Sequence, residues 1–371
     1  MTAAGGDAAP NPPARRVLVT GGGGYLGRQV VAALAARSGA DPRACVVSLD
    51  VRDLPGPERV AGVRYARADI RDPGLVDLLR ANEIDTVVHL AAIVTPSGKS
   101  NREFEYQVDV EGTRNVLQAC VAAGVRHVVI SSSGAAYGYH ADNPAWIVET
   151  DAIRGNHEFA YAWHKRLVEE MLAEYRHSAP QLAQTIFRIG TILGATVDNQ
   201  ITALFDKPRP LAVAGSASPF VFIWDQDVVG AILHTLAGAR PGIYNVAGDG
   251  ALTIHQIAAA MGKRCRVLPA WLLQAALAIG KALRATRYGP EQLRFLRYRP
   301  VLDNRRLKAC ASWRPIYPAR ARSSRRRCRP PRICRRNSGR SGGRYGLCRW
   351  LPVHERSARR RCRCRRANTS G

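Results

Sequence analysis

The stretch Val17-Leu18-Val19-Thr20-Gly21-Gly22-Gly23-Gly24-Tyr25-Leu26-Gly27 decides the fold. Its first residues are apolar and mostly β-branched, the pattern of a short buried strand, and from Arg28 onward the pattern is helical. Between the two, glycines at 21, 24 and 27 let backbone amides approach a bound group at the positive end of the helix. That arrangement suits the pyrophosphate of a dinucleotide. Working outward, Asp50 closes a second apolar run that begins at Cys45. A carboxylate there can accept hydrogen bonds from the adenosine ribose hydroxyls and repels an added 2'-phosphate, which favours NAD over NADP. Arg52, two positions on, is a cation that works in the opposite direction.

Far downstream, Tyr161-Ala162-Trp163-His164-Lys165 sets a phenol and an ammonium one helical turn apart. On a shared helix face the lysine can lower the phenol's proton affinity. Together with the glycine motif, this pair points to redox chemistry.

The chain has 371 residues, enough for one large domain or two. Residues 1–14 are small, Pro-rich and polar and read as a disordered lead-in. The longest apolar stretch, Ala270 to Gly280, is interrupted by Gln274 and too short to span a bilayer. These features predict a cytoplasmic protein with no membrane partner. The net charge of +26 is concentrated at one end. Residues 316–371 hold 19 Arg and no Lys against a single acid, Glu355, which leaves +8 for residues 1–315. Five of the nine cysteines, Cys328, Cys334, Cys348, Cys362 and Cys364, lie there too. Such a segment cannot build a core, and disorder is predicted. It could be a nucleic-acid-binding arm, a metal module or out-of-frame translation of a GC-rich gene. The cysteines form no paired C-x-x-C, against zinc. The near absence of Lys, Glu and Ile favours the out-of-frame origin. Neither a metal site nor a specific nucleic-acid partner is expected.

Over the remaining chain, strand and helix patterns alternate. The reading is an α/β fold, a Rossmann-like doubly wound parallel sheet covered on both faces, with a smaller C-terminal substrate lobe. Strands are predicted at 17–20, 45–50, 63–66, 86–90, 128–131 and 185–189. Helices are predicted at 29–37, 73–81, 109–123 and around Tyr161. Residues 15–190 make the NAD-binding domain, to which 218–247 returns. Residues 191–217 and 248–315, rich in Pro and Gly, make the substrate-binding lobe.

From Arg15 to Pro315 the chain resembles the extended short-chain dehydrogenase/reductases, the NAD-dependent epimerase/dehydratase group. The marks are Thr20 to Gly27, Ala68-Asp69-Ile70-Arg71-Asp72, His89-Leu90-Ala91-Ala92, Val110-Glu111-Gly112-Thr113, Ser131-Ser132-Ser133-Gly134, Tyr161-x-x-x-Lys165, Phe222 to Val228 and Tyr244 to Gly248, in the family's order. The resemblance implies that Tyr25 and Leu26 line the cofactor turn. Asp69 and Ile70 would sit beside the adenine, with Leu90, Ala91 and Ala92 beneath the cofactor. It implies Tyr161 as general acid/base, Ser133 as a hydrogen-bond partner of the substrate oxygen, and Lys165 holding the nicotinamide ribose. Hydride transfer at a secondary alcohol or ketone follows.

Departures from the family leave the substrate open. Asp109 stands where many relatives carry Asn, and Thr191 and Leu193 fall in a segment that commonly reads Asn-x-Tyr-Gly. Residues 216–222 lack the Arg that pairs with diphosphate in nucleotide-sugar enzymes; Arg209, Arg284 and Arg287 are alternative phosphate partners. The apolar helix from Trp271 resembles the lid of relatives acting on steroid- or terpenoid-like alcohols, and reads as packing the small lobe rather than touching a membrane. His89, His127, His164 and His234 lack ligand spacing, and His164 reads as helix surface. Cys45, Cys120, Cys265 and Cys310 read as reduced, isolated thiols. Three function classes therefore stand: an NAD-dependent oxidoreductase or epimerase, a catalytically silent dinucleotide sensor, and a nucleic-acid binder acting through its basic end. Intact Ser133, Tyr161 and Lys165 favour the first, with a small-molecule substrate and room for a homodimer.

Overall fold

The computed structural model describes residues 16–38, 41, 43–94, 101–197, 200–217, 219–238, 240–286 and 289–311. The lead-in at 1–14, Arg15, Ser218, Arg287 and the Arg-rich segment 316–371 lie outside the described residues.

Strand β1 (Arg16–Thr20) is buried along most of its length because Val17, Leu18 and Val19 offer apolar side chains to both faces. Helix α1 (Tyr25–Ser38) starts at Tyr25, earlier than the predicted 29. The amide of Arg28 already bonds the carbonyl of Gly24 at 3.0 Å, so the last glycines of the motif are both loop and first turn. Then follow β2 (Cys45–Asp50), β3 (Val63–Arg67), α2 (Leu75–Ala81) and β4 (Thr86–His89). The helix predicted at 109–123 is longer than its apolar period suggests. It begins as α3 (Arg102–Tyr106), passes through a wide π turn at Gln107–Glu111 and continues as α4 (Gly112–Ala123). Such turns re-aim one side chain out of the helical ladder, and the residue inside this one is Asp109. Strand β5 (His127–Ser133) extends to Ser133, α5 (Ala160–Ser178) carries Tyr161 and Lys165, and β6 (Ala183–Ile189) follows.

Further along come β7 (Thr191–Leu193), α6 (Gln200–Asp206), β8 (Leu211–Val213), β9 (Phe222–Trp224), α7 (Asp225–Leu236) and β10 (Gly242–Val246). The described chain ends with α8 (Ile254–Ala260), β11 (Arg266–Leu268), α9 (Ala270–Ala282), α10 (Gln292–Arg297) and α11 (Arg305–Ala311). Strands β7 and β9 pair in parallel, as do β8 and β11.

Seven strands form one parallel sheet in the order β10-β6-β5-β4-β1-β2-β3. The chain fills one half outward from β1, then crosses to β4 and fills the other. The crevice at the carboxyl ends of β1 and β4 is where ligands lodge in such sheets. Successive side chains of each strand point to opposite faces. Leu18, Val47, Val87 and Val128 therefore meet α2, α4 and α5 on one side, while Val19, Val46, Val88 and Val129 meet α1 and α7 on the other. A minor cluster, Val213, Leu273 and Leu293, holds α9 and α10 against β8.

Candidate active site

The glycine turn is built by close approach. Gly21 adopts φ +67°, and a Cβ there would sit 2.8 Å from the amide nitrogen of Ala91. A Cβ on Gly27 would strike the carbonyl oxygen of Gly21, so only glycine lets α1 begin this close to the β1 turn. The first-turn amides of Tyr25, Leu26 and Gly27 have no acceptor within the helix. Tyr25 lines a cleft together with Gly23, Gly24, Arg28 and Arg52. The Tyr25 hydroxyl donates to the Asp225 carboxylate at the start of α7, and Gln29 bonds the same oxygen at 3.2 Å. This latch ties the glycine turn to the far half of the sheet.

Asp50, at the tip of β2, accepts from the Gly23 amide at 3.0 Å and from the Arg52 backbone and guanidinium at 3.0 and 3.1 Å. Its carboxylate thus stands beside the glycine turn. Asp69 is gripped by Arg71 through both oxygens, which holds its carboxyl below the usual range. The Ile70 side chain turns into the core against Gly112 rather than into the cleft. Leu90, Ala91 and Ala92 continue past β4 at the crevice floor, half-buried, with the Leu90 amide bonded to the Thr20 carbonyl at 3.2 Å.

Ser133 ends β5 and Tyr161 lies in the first turn of α5, where the Ser133 hydroxyl is near enough to lower the proton affinity of the phenol. Burial pushes the Tyr161 phenol up to about 12, with Ser133 opposing and Asp109 reinforcing the rise. The Lys165 ammonium donates to the Ser131 carbonyl at 2.8 Å and lies 5.7 Å from the Tyr161 ring centroid. Burial lowers its proton affinity while Asp109 and Glu169 partly restore it. In this structure burial raises the phenol, and Ser133 rather than Lys165 is the group that opposes the rise, in place of the lowering that the Tyr-x-x-x-Lys spacing predicts.

His164 is not helix surface. It is 1% exposed, and its Nδ1 lies 3.2 Å from the buried Asp109 carboxylate, whose other oxygen accepts from the Ile93 amide at 2.8 Å. The helical spacing of Tyr161, His164, Lys165 and Val168 is the signal for one inward face. The π turn supplies the carboxylate partner. His89 bridges the hydroxyls of Thr20 and Thr113 at 2.7 and 3.0 Å. Because Thr113 donates to the Asp109 carbonyl, the network assigns the His89 proton to Nε2. Burial holds this ring neutral, with a proton affinity pushed down to about 3. Behind Ser133, Glu169 accepts from Ser132 and is doubly bonded by Arg188, which also donates to the Tyr137 hydroxyl at 2.7 Å. This buried network fixes the strand end on which Ser133 stands.

In the apolar cluster beside Tyr161, Tyr139 packs edge-on against Phe159 and Phe295. The Arg299 guanidinium lies 3.8 Å over the Phe220 ring and 4.8 Å from that of Phe295. Sequence reasoning missed Arg299, whose position against the 216–222 segment arises only on folding. Its Nε and that of Arg297 are buried without a hydrogen-bond partner, and burial lowers Arg299 to about 9. Of the possible phosphate partners named from the sequence, Arg209 is exposed just before β8 and Arg284 is exposed beyond α9.

The chain belongs to the NAD-dependent epimerase/dehydratase family, whose model matches residues 17–247. It is an NAD-dependent enzyme, and the tight glycine cradle with the carboxylate of Asp50 beside it fits that cofactor. A UDP-glucose 4-epimerase of Yersinia pestis is 29% identical over 293 residues, 67% of this chain and 82% of that one. An uncharacterised protein of Mycobacterium tuberculosis is 25% identical over 302 residues, 81% of this chain and 80% of the relative. The crystal structure of Thermus thermophilus UDP-glucose 4-epimerase in complex with NAD is 26% identical with a TM-score of 0.60, covering 81% of this chain and 94% of that chain. Among the described residues no cluster of side chains could hold a metal ion.

Proposed function

We propose that the protein acts on a nucleotide sugar, oxidising and re-reducing a secondary alcohol of the sugar ring, with Tyr161 as the acid/base. The observation that carries the substrate class is the pair of half-buried arginines Arg297 and Arg299, whose Nε atoms are buried without a hydrogen-bond partner. A half-buried guanidinium with a desolvated Nε and no carboxylate partner among the described residues suits an anionic ligand, and a diphosphate matches a guanidinium fork. The aromatic group Tyr139, Phe159 and Phe295 connects this anchor to Tyr161, so a substrate held at its phosphates would present its sugar to the phenol. The missing Arg at 216–222, which weakens a nucleotide-sugar reading of the sequence, is supplied from 299.

The chemistry is shared among three side chains. Ser133 bonds the reacting oxygen and orients it. Tyr161 takes the hydroxyl proton as the hydride leaves the same carbon, and returns it when hydride comes back. NAD, held at the glycine turn, would supply the hydride acceptor and donor, and the positive charge of its ring would favour the phenolate. Lys165 holds the ribose hydroxyls, anchored by its bond to Ser131. Asp109 and His164 fix the floor beneath this pair.

The test is direct. Protein loaded with NAD is titrated with UDP-glucose by calorimetry and the products separated by chromatography. Binding of UDP-glucose or another UDP-hexose that weakens at least tenfold in Arg299→Leu is expected. Absence of binding by every UDP-hexose, or indifference to Arg299→Leu, would overturn the substrate class.

A further inference from the structure

Helix α9 buries a narrow stripe and leaves an apolar face uncovered. Ala270, Leu273 and Leu277, on one side of the helix, pack against Val213 and Leu293. A surface helix ordinarily carries polar residues on its remaining face. Here that face holds Trp271, Leu272 and Ile279, with Leu283 just past the end, exposed by 69, 41, 60 and 74%. Ala275, Ala276 and Ala278 are exposed between them, and Val267 extends the patch along β11. Gln274 and Lys281 are the polar side chains of α9, and an uncovered apolar patch beside them marks an interaction surface.

Charge decides what covers it. Arg264, Arg266, Lys281 and Arg284 are exposed around the patch, and the sequence holds no Asp or Glu between Asp249 and Glu291. Glu291 pairs with Lys281 at 3.4 Å and leaves the arginines as the unbalanced charge. A second copy of this face would set like charge against like charge. The Arg-rich 316–371 segment, with its single acid, is disfavoured for the same reason. An anionic lipid surface answers both features, with acyl chains for the apolar residues and phosphates for the arginines. Helix α9 has 13 residues, about 20 Å, and no described helix is long and apolar enough to cross a membrane.

We propose that α9 docks in the plane of an anionic bilayer, with Trp271, Leu272, Ile279 and Leu283 at the acyl boundary and Arg264, Arg266 and Arg284 on lipid phosphates. The proposal is independent of the substrate class.

The test uses the full chain loaded with NAD, sedimented with vesicles of phosphatidylcholine alone or with about one-third phosphatidylglycerol, at low salt and at roughly 0.5 M salt. The Arg-rich end alone gives binding that salt abolishes. Insertion of α9 gives binding to anionic vesicles that partly survives salt. That surviving part should fall roughly tenfold or more in the triple variant Trp271→Ser, Ile279→Ser, Leu283→Ser, because each change removes apolar area from the lipid. Calorimetric NAD binding reports whether the variant is folded, and Leu283→Ser alone, expected to show a smaller loss, serves if the triple variant is not. No vesicle binding, equal salt-sensitive binding by wild type and variant, or a dimer in vesicle-free sedimentation that the triple variant breaks would each overturn the proposal.

Discussion

Helices α5 and α9 invert one another. Helix α5 carries His164, Lys165 and Glu169 into the interior, whereas α9 leaves Trp271, Leu272 and Ile279 in the open. Each breaks the rule that a surface helix turns apolar residues inward and polar ones out. On α5 each inward polar group finds a partner: Asp109 for His164, Ser131 for Lys165, Arg188 for Glu169. On α9 the outward apolar groups have no protein cover among the described residues. Buried polarity with partners marks a place where chemistry is held still. Exposed apolarity ringed by one sign of charge marks a place that meets something else.

The contrast breaks most sharply at Tyr161. Replacing it with Phe keeps the ring and removes the titrating oxygen, so turnover of UDP-hexose should fall by roughly 100- to 10,000-fold while NAD affinity by calorimetry stays within about twofold. Retention of most of the activity would remove α5 from the mechanism. Glu169→Ala comes next. It strands the Arg188 guanidinium, which is buried together with Glu169, and should cost about 3–5 kcal/mol in urea unfolding. A loss below 1 kcal/mol would mean that water reaches the network.

The two faces of α9 offer a comparison within one helix. Leu273→Ala, on the buried stripe, should cost about 2–4 kcal/mol, whereas Trp271→Ser on the open face should stay within about 0.5 kcal/mol. Equal losses in urea would show that the open face is covered in solution.

A smaller effect concerns acid. His89 and His127 are buried neutral, with proton affinities lowered to about 3 and about 4, burial being the largest cause for each. Both bind a proton more readily when unfolded, so their contribution is full above the ordinary histidine value near 6.5 and is lost as pH falls toward those lower values. Stability measured in urea at pH 7 should exceed that at pH 5, and an equal or greater value at pH 5 would contradict their neutral burial. The smallest expected effect is cofactor discrimination. Asp50→Ala frees the Arg52 guanidinium and removes the carboxylate that repels a 2'-phosphate, so a several-fold preference for NAD over NADP should narrow toward equality by calorimetry. An unchanged preference would place the selectivity elsewhere in the cleft.

The sequence by itself determined the parallel doubly wound sheet, the glycine turn and the family. These depend on neighbours in the chain: alternating apolar strands and helices, glycines where backbones nearly touch, and a carboxylate at the tip of the following strand. Tyr161 and Lys165 could be singled out for the same reason, being one helical turn apart. Only the tertiary structure decided the rest. His164 is turned inward because the π turn at 107–111 delivers Asp109 to it, and no local pattern records that meeting. Arg299 lies on Phe220 because segments far apart in the chain pack against one another. The rise of the Tyr161 phenol depends on how much water the assembled walls exclude, a quantity absent from any spacing of residues. The open face of α9 belongs here too: a run of apolar residues is the same string whether it is covered or bare, and only the folded chain shows which side is left uncovered.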